Sequence, residues 1–170
     1  RKHLEKHKQE TPVGLQLGGC IPSELALACR IAREFNYSEI NLNCGCPSNR
    51  VQNAQFGAVM MIDAKKTADC VSAMLDTANI PITVKHRTGV DESDSYEFMR
   101  DFVGTVADKG CQTFLVHARK AWLSGLSPKE NRTLPTLEYD RVYRLKRDFP
   151  DLEIIINGGV VSIAESLKHL

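Results

Sequence analysis

Three kinds of side chain in this sequence could carry a reaction: thiols, an ammonium group and an imidazole. The thiols of interest stand in Glu39-Ile40-Asn41-Leu42-Asn43-Cys44-Gly45-Cys46-Pro47-Ser48, the most distinctive stretch of the chain. Cys44 and Cys46 are too close together to form a zinc knuckle without partners, and no second pair completes one. A thiol in a loop after a strand can be a nucleophile or, kept protonated by an apolar site, a general acid near its free pKa of about 8.5. By chance alone a loop cysteine is more often inert. Lys85 stands in Ile80-Pro81-Ile82-Thr83-Val84-Lys85-His86-Arg87-Thr88-Gly89. An ammonium at the inner end of a strand is costly to bury unless an anion meets it, which points to a phosphate, an anionic cofactor ring or a partner carboxylate. The bland alternative is a lysine that snorkels to solvent.

His117 ends Thr113-Phe114-Leu115-Val116-His117. A lone histidine is usually structural, but this one is placed as Lys85 is, one strand later. Ile154-Ile155-Ile156-Asn157-Gly158-Gly159-Val160 runs from a buried strand into paired glycines and then a helix that starts at Ser162. Glycines let backbone approach a ligand closely, and free amides near a helix start bind phosphate; a simple tight turn is the other reading.

These groups need elements to hold them. Short apolar runs at 13–17, 39–42, 82–84, 113–116 and 153–156 alternate with stretches of helical periodicity. Leu27, Ala28, Ile31, Ala32 and Phe35 share one helical face, as do Val71, Met74, Leu75 and Ala78, then Phe98, Phe102, Val103 and Val106, then Val142, Leu145 and Phe149. Asp63, Ser95, Thr136 and Ser162 are the expected N-caps. Near-continuous apolar strands joined by amphipathic helices require a parallel sheet covered by helices, so the class is α/β.

The polar residues at the strand ends, Gln16, Asn43, Lys85, His117 and Asn157, are spaced by 27, 42, 32 and 40 residues. A (β/α)8 TIM barrel of about 250 residues implies about 31 per unit. Five units fit and eight do not. An open sheet gathers its ligand groups at one switch point, whereas here every strand ends in a polar or reactive group, as in a barrel that builds its site from all its loops. The expectation is an incomplete barrel.

Composition agrees with a globular chain: 170 residues, 42% hydrophobic, 25% charged, with 22 basic against 21 acidic side chains. A net charge of +1 leaves any polyanion partner to a local patch. No apolar window is long enough for a bilayer helix, and the N-terminus lacks the apolar stretch of a secretory signal. Six cysteines without paired metal spacing read as free thiols in a reducing compartment. Residue 1 is Arg, and residue 170 falls barely two turns into a helix, so the chain is expected to be a piece of a longer protein.

Asn41-Leu42-Asn43-Cys44-Gly45-Cys46-Pro47-Ser48, followed by Arg50-Val51-Gln52-Asn53, resembles the catalytic loop of the tRNA-dihydrouridine synthases. The run from His117-Ala118-Arg119-Lys120-Ala121-Trp122 to Ser127-Pro128-Lys129-Glu130-Asn131-Arg132 is similar to the signature of their A subfamily. The resemblance runs from about Gly14 to the end. It implies a flavin enzyme on a (β/α)8 TIM barrel, of which this chain holds strands 3 to 7, with a separate helical tRNA-binding domain beyond it. The implied activity is reduction of the C5–C6 double bond of D-loop uridines at positions 20 and 20a of tRNA, with FMN as cofactor and NADPH as reductant.

By the same resemblance Cys46 is the proton donor and Cys44 a bystander. FMN contacts fall on Gln16, Lys85, His117, Asn157, Gly158 and Gly159, and Asn43 touches the tRNA. Residues 1–12 are then a polar leader and 13–170 a partial FMN-binding barrel. The first two strands with a Pro-Met element, the eighth strand with a Gly-Arg phosphate contact and the helical domain lie outside the chain, so the fragment alone should not turn over. The expected setting is cytoplasmic, with an organelle left open, and the full-length protein is expected to be monomeric, with no membrane or metal partner.

Residues 117–148 hold eight Lys or Arg against four acids. Arg141, Arg144, Lys146 and Arg147 read as the solvated face of a helix. Lys120, Lys129 and Arg132 follow the His117 strand on the site's side and are the better phosphate contacts. Two rival readings stand beside this one: another FMN barrel acting on a small substrate, and a catalytically dead RNA-binding remnant.

Overall fold

Val-, Ile- and Leu-rich runs form five strands: β1 (Gly14–Leu17), β2 (Glu39–Cys44), β3 (Ile82–Arg87), β4 (Thr113–His117) and β5 (Glu153–Asn157). All pair in parallel, in the order β1-β2-β3-β4-β5. The computed structural model describes residues 4–7 and 9–170; Arg1, Lys2, His3 and Lys8 of the polar leader lie outside the described residues. β2 to β5 each run past their apolar stretch into the polar residue that follows, because the backbone ladder continues there regardless of side-chain polarity. Asn43 pairs with Lys85, Arg87 with His117, and His117 with Asn157.

Each parallel crossover carries a helix: α1 (Pro22–Ala32) after β1, α3 (Ala64–Thr77) after β2, α4 (Tyr96–Ala107) after β3 and α5 (Tyr139–Asp148) after β4. α1 packs on α3 and α3 on α4, so successive helices are neighbours over one side of the sheet. A doubly wound sheet reverses its strand order; a sequential order with neighbouring helices is the arc of a (β/α) barrel. The 42-residue step from Asn43 to Lys85 is the longest because α2 (Asn49–Asn53) and a 3-10 turn (Gly57–Ile62) precede α3. The single turn α6 (Ile163–Ser166) follows β5 and runs on into a 3-10 turn (Leu167–His169).

Three of the expected caps form. Asp63 accepts from Lys66 N at 3.0 Å, Ser95 from Phe98 N at 3.0 Å and Ser162 from Glu165 N at 3.1 Å. Thr136 is not a cap. Glu138 N donates to Ala118 O at 2.7 Å, which holds the chain against the end of β4, and α5 starts only at Tyr139. The face expected for α1 is also displaced. Its buried side chains are Leu25, Cys29 and Ala32, while Leu27 is 52% exposed and Ile31 is exposed with it. The buried Cys29 and Ala32 are small, which suits the close contact with α3.

Alternate strand residues face the helices, and on β3 these are Ile82, Val84 and His86. His86 is 0% exposed, its ring 5.3 Å from Phe102 and 5.9 Å from Phe114. Nδ1 lies 2.7 Å from the Arg87 carbonyl, to which it donates, and Nε2 has no partner among the described residues. Burial pulls the imidazole down to about 4, the backbone bond only partly opposing it. Below pH 6.5 the unfolded chain takes up a proton here that the native state refuses until about pH 4, so stability falls as pH drops through that window. By pH 5 the loss from this residue is about 2 kcal/mol. We expect His86→Leu, in the full-length protein, to weaken the fall in stability between pH 7 and pH 5 by about that amount, measured by urea unfolding. An unchanged pH slope would refute the assignment.

Candidate active site

The residues on the other face of the strands build the site. Period-two alternation puts Gln16 of β1, Asn41 and Asn43 of β2, Thr83, Lys85 and Arg87 of β3, His117 of β4 and Asn157 of β5 opposite the helix-facing apolar set. At the carboxyl ends of the strands they open into a cavity of about 210 Å³, lined by Gln16, Asn43, Cys46, Lys85, Arg87, His117 and Arg132 together with parts of the loops.

Amides tie the wall together in one direction. Asn43 Nδ2 donates to Gln16 Oε1 at 3.2 Å, Gln16 Nε2 to Asn41 Oδ1 at 2.8 Å, and Asn41 Nδ2 to Thr83 Oγ1 at 2.8 Å. Asn43 Oδ1 accepts from Gly45 N at 3.0 Å and Cys46 N at 3.1 Å, which turns the chain sharply out of β2. The Cys46 carbonyl accepts from Ala58 N at 2.9 Å. Gly57, at φ +76°, sits so close that a Cβ would come 2.5 Å from that carbonyl oxygen. Cys46 Sγ meets Ser48 Oγ at 3.5 Å and opens on the cavity. Cys44, two residues back, is fully buried, and burial pushes its thiol well above the ordinary value.

The electrostatics are one-sided. Lys85, Arg87 and Arg132 line the cavity and no carboxylate does. Among the described residues Lys85 has no hydrogen-bond or ion-pair partner. His117 is pushed down to about 3, first by burial and then by the charges of Arg87, Lys85, Arg119 and Arg132, so its imidazole is neutral at ordinary pH. The paired glycines are more than a tight turn. At Gly158, with φ +101°, a Cβ would fall 2.8 Å from His117 Cδ2 and 2.9 Å from Nε2. Tyr139 Oη donates to the Gly158 carbonyl at 2.6 Å, and Ala118 N to the Asn157 carbonyl at 2.8 Å. Asn157, Gly158 and Gly159 thus stand beside His117 at the rim rather than in the cavity wall.

Of the three basic residues singled out after β4, Arg132 lines the cavity and Lys129 is exposed outside it. Lys120 is engaged: its Nζ lies 2.8 Å from Asp94 Oδ2, 3.2 Å from the Asp91 carbonyl and 4.0 Å from the Trp122 ring centre. Arg144, Lys146 and Arg147 of α5 are exposed, as the solvated face of a helix should be, and several of its basic residues also find partners. Arg141 pairs with Glu138 at 3.0 Å, Arg144 stacks 3.7 Å over the Tyr96 ring, and Lys146 donates to the Pro150 and Leu152 carbonyls at 2.8 Å each.

Arg87, Gln52 and Asn131 escaped the reading of the sequence. Arg87 stands two residues after Lys85 on the same strand, and that spacing alone assigns it to the same face. Gln52 and Asn131 act on backbone carbonyls, Pro47 and Leu123 for the first and Trp122 and Leu126 for the second, for which the sequence carries no signal. Among the described residues no helix is long and apolar enough to cross a membrane, and no group of three or more His, Cys, Asp or Glu could hold a metal ion.

The family model described as dihydrouridine synthase (Dus) matches residues 1–170. The chain is 58% identical over 168 residues to a tRNA-dihydrouridine(20/20a) synthase of Pasteurella multocida, covering 99% of this chain and 51% of that protein. It is 57% identical over 169 residues to the protein of that name in Escherichia coli K12, covering 99% and 49%. The chain therefore spans about half the length of the curated relatives it matches. A crystal structure of a candidate lyase/mutase from Burkholderia cenocepacia J2315 shares the fold, with a TM-score of 0.61 at 13% identity over 93% of this chain and 52% of that one.

The contrast between the two loop thiols can be read chemically. In the native full-length protein, iodoacetamide is expected to modify Cys46 and the half-buried Cys20 well before Cys29, Cys44, Cys70 and Cys111, all of which are 0% exposed. Peptide mapping by mass spectrometry reads the order, and early labelling of Cys44 would contradict the placement of the two thiols.

Proposed function

Because the chain belongs to the dihydrouridine synthase family, we propose that its cavity is the uracil-reducing centre of a tRNA-dihydrouridine synthase acting at positions 20 and 20a, with Cys46 as the proton donor. One observation carries the reading: the Cys46 thiol, the unpartnered Lys85 ammonium and the neutral His117 imidazole converge on one cavity at the carboxyl ends of consecutive strands. In a barrel that is where chemistry is done.

The donor set fits an FMN. Its wall is cationic and rich in N–H groups, without a carboxylate to repel a phosphate or an electron-rich ring. Gly158 lies flush against the imidazole where any Cβ would intrude. Gln16, Lys85, His117, Asn157, Gly158 and Gly159 would hold the cofactor. When bound, FMN supplies the hydride that C6 of the uracil accepts, with NADPH as the source of electrons.

The residues of this chain do the rest. Cys46, held at the rim by its backbone contacts, gives the proton that C5 requires. Lys85 supplies a fixed positive charge toward the negative charge of a reduced ring, an electrostatic role that a neutral side chain cannot fill. His117 stays neutral, so it offers a hydrogen bond without adding charge.

The target base must leave the folded tRNA to enter the cavity, and the cost of unstacking is offset by backbone contacts. Asn43 faces the incoming base. Arg132 and Lys129 meet phosphates, whereas Lys120 would have to leave Asp94 to join them. The activity is that of the full-length protein, in which a helical tRNA-binding domain follows the barrel.

In that protein, Cys46→Ala is expected to keep FMN and tRNA binding and to lower dihydrouridine formation about 10²- to 10⁴-fold, the usual contribution of a positioned acid. Wild-type product by mass analysis of the tRNA would refute the acid role. Lys85→Ala is expected to lose FMN on purification or to slow flavin reduction by NADPH, read from the flavin absorbance. Wild-type flavin content together with a wild-type reduction rate would remove Lys85 from the cofactor site.

A further inference from the structure

The carbonyls of the residues on either side of Cys46 are fastened to the loop that follows β4. Gln52, on α2, directs both hydrogens of its side-chain amide at backbone carbonyls: Pro47 O at 2.7 Å and Leu123 O at 2.6 Å. With two carbonyls as neighbours, only the NH₂ end of the amide can occupy that position. Arg87, on β3, makes the same bridge from the other side. Its Nε donates to Gly45 O at 3.1 Å, and its Nη1 to Lys120 O at 3.3 Å and Asn131 O at 2.7 Å. Arg87 is 4% exposed, and among the described residues no carboxylate pairs with it.

Burying a guanidinium on carbonyls alone is expensive, since no opposite charge offsets its lost hydration. Such an arrangement persists where geometry is its product. The far ends of both bridges rest on a loop that is itself rigid. Asn131 is 0% exposed, accepts from Trp122 N at 2.8 Å and donates to Trp122 O at 3.0 Å and Leu126 O at 3.3 Å.

We propose that Gln52 and Arg87 are positioning residues for the Cys46 thiol, bridging its loop through the carbonyls of residues 45 and 47 to the loop at 118–136. The inference rests on the reading of Cys46 as the proton donor. The bridges fix where the thiol stands. Proton transfer depends steeply on that placement, a displacement of about 1 Å costing up to about a hundredfold.

The test uses the full-length protein with Gln52→Met, which nearly preserves shape and removes both donors, and Arg87→Lys, which keeps the charge and loses the fork. Steady-state kinetics on unmodified transcribed tRNA are combined with the iodoacetamide rate constant of each cysteine. Both variants are expected to lower kcat by about ten- to a hundredfold and to change the Cys46 alkylation rate, with KM for tRNA near the wild-type value and Cys44 and Cys70 still unreacted.

Three results would overturn the proposal. They are wild-type kcat and Cys46 alkylation in both variants, a raised KM with kcat intact, and loss of kcat accompanied by labelling of Cys44 and Cys70, which marks general loosening. A Cys46→Ala protein of normal turnover would sink the donor assignment itself. With Cys46→Ala inactive and Gln52→Met normal, only the positioning role fails.

Discussion

Everything at the cavity depends on the parallel register of the five strands. Side chains alternate with a period of two, so a slip by one residue would turn the whole polar set toward the helices and the apolar set outward. The pairs Asn43↔Lys85, Arg87↔His117 and His117↔Asn157 keep these residues at one height and on one face. The register is secured from behind, where Leu42, Cys44, Val84, Phe114 and Val116 are fully buried under the helices. A core that is mostly apolar, His86 apart, holds a face that is mostly polar.

That face concentrates positive charge. Burial, and then the nearby charges of Arg87, Lys85, Arg119 and Arg132, keep His117 neutral, and Arg87 is buried on carbonyl oxygens offered by two loops. The same contacts stiffen the loops, so the electrostatic character of the cavity and the rigidity of its rim have one origin. Cys44 shows the opposite solution two residues from Cys46: a thiol on the helix side, dry and kept protonated, is merely a small apolar side chain.

Much of this was legible from residues alone. The five strands, the parallel α/β class and the gathering of Gln16, Asn43, Cys46, Lys85 and His117 follow from apolar runs that each end in a polar residue. What periodicity could not settle was which of two overlapping apolar stripes α1 would bury; Leu25, Cys29 and Ala32 won over Leu27 and Ile31. Thr136 has the side chain of a cap, but the contact of Glu138 with Ala118 overrode it. What the sequence could not show for Lys120 and the basic residues of α5 was their contacts, because a charge in a sequence does not reveal its partner. Gln52 and Asn131 were invisible for a related reason: they serve backbone carbonyls, and a carbonyl has no letter in the sequence.

The head-to-tail run of amides from Asn43 through Gln16 and Asn41 to Thr83 has a further consequence. Reversing any one amide would set two oxygens or two NH₂ groups against each other, so the run keeps a single polarity. Each amide oxygen in it already accepts at least one hydrogen bond, while each amide nitrogen keeps one hydrogen to give. Beside the cations Lys85, Arg87 and Arg132, those spare hydrogens tilt the wall toward the oxygen-lined edge of a guest.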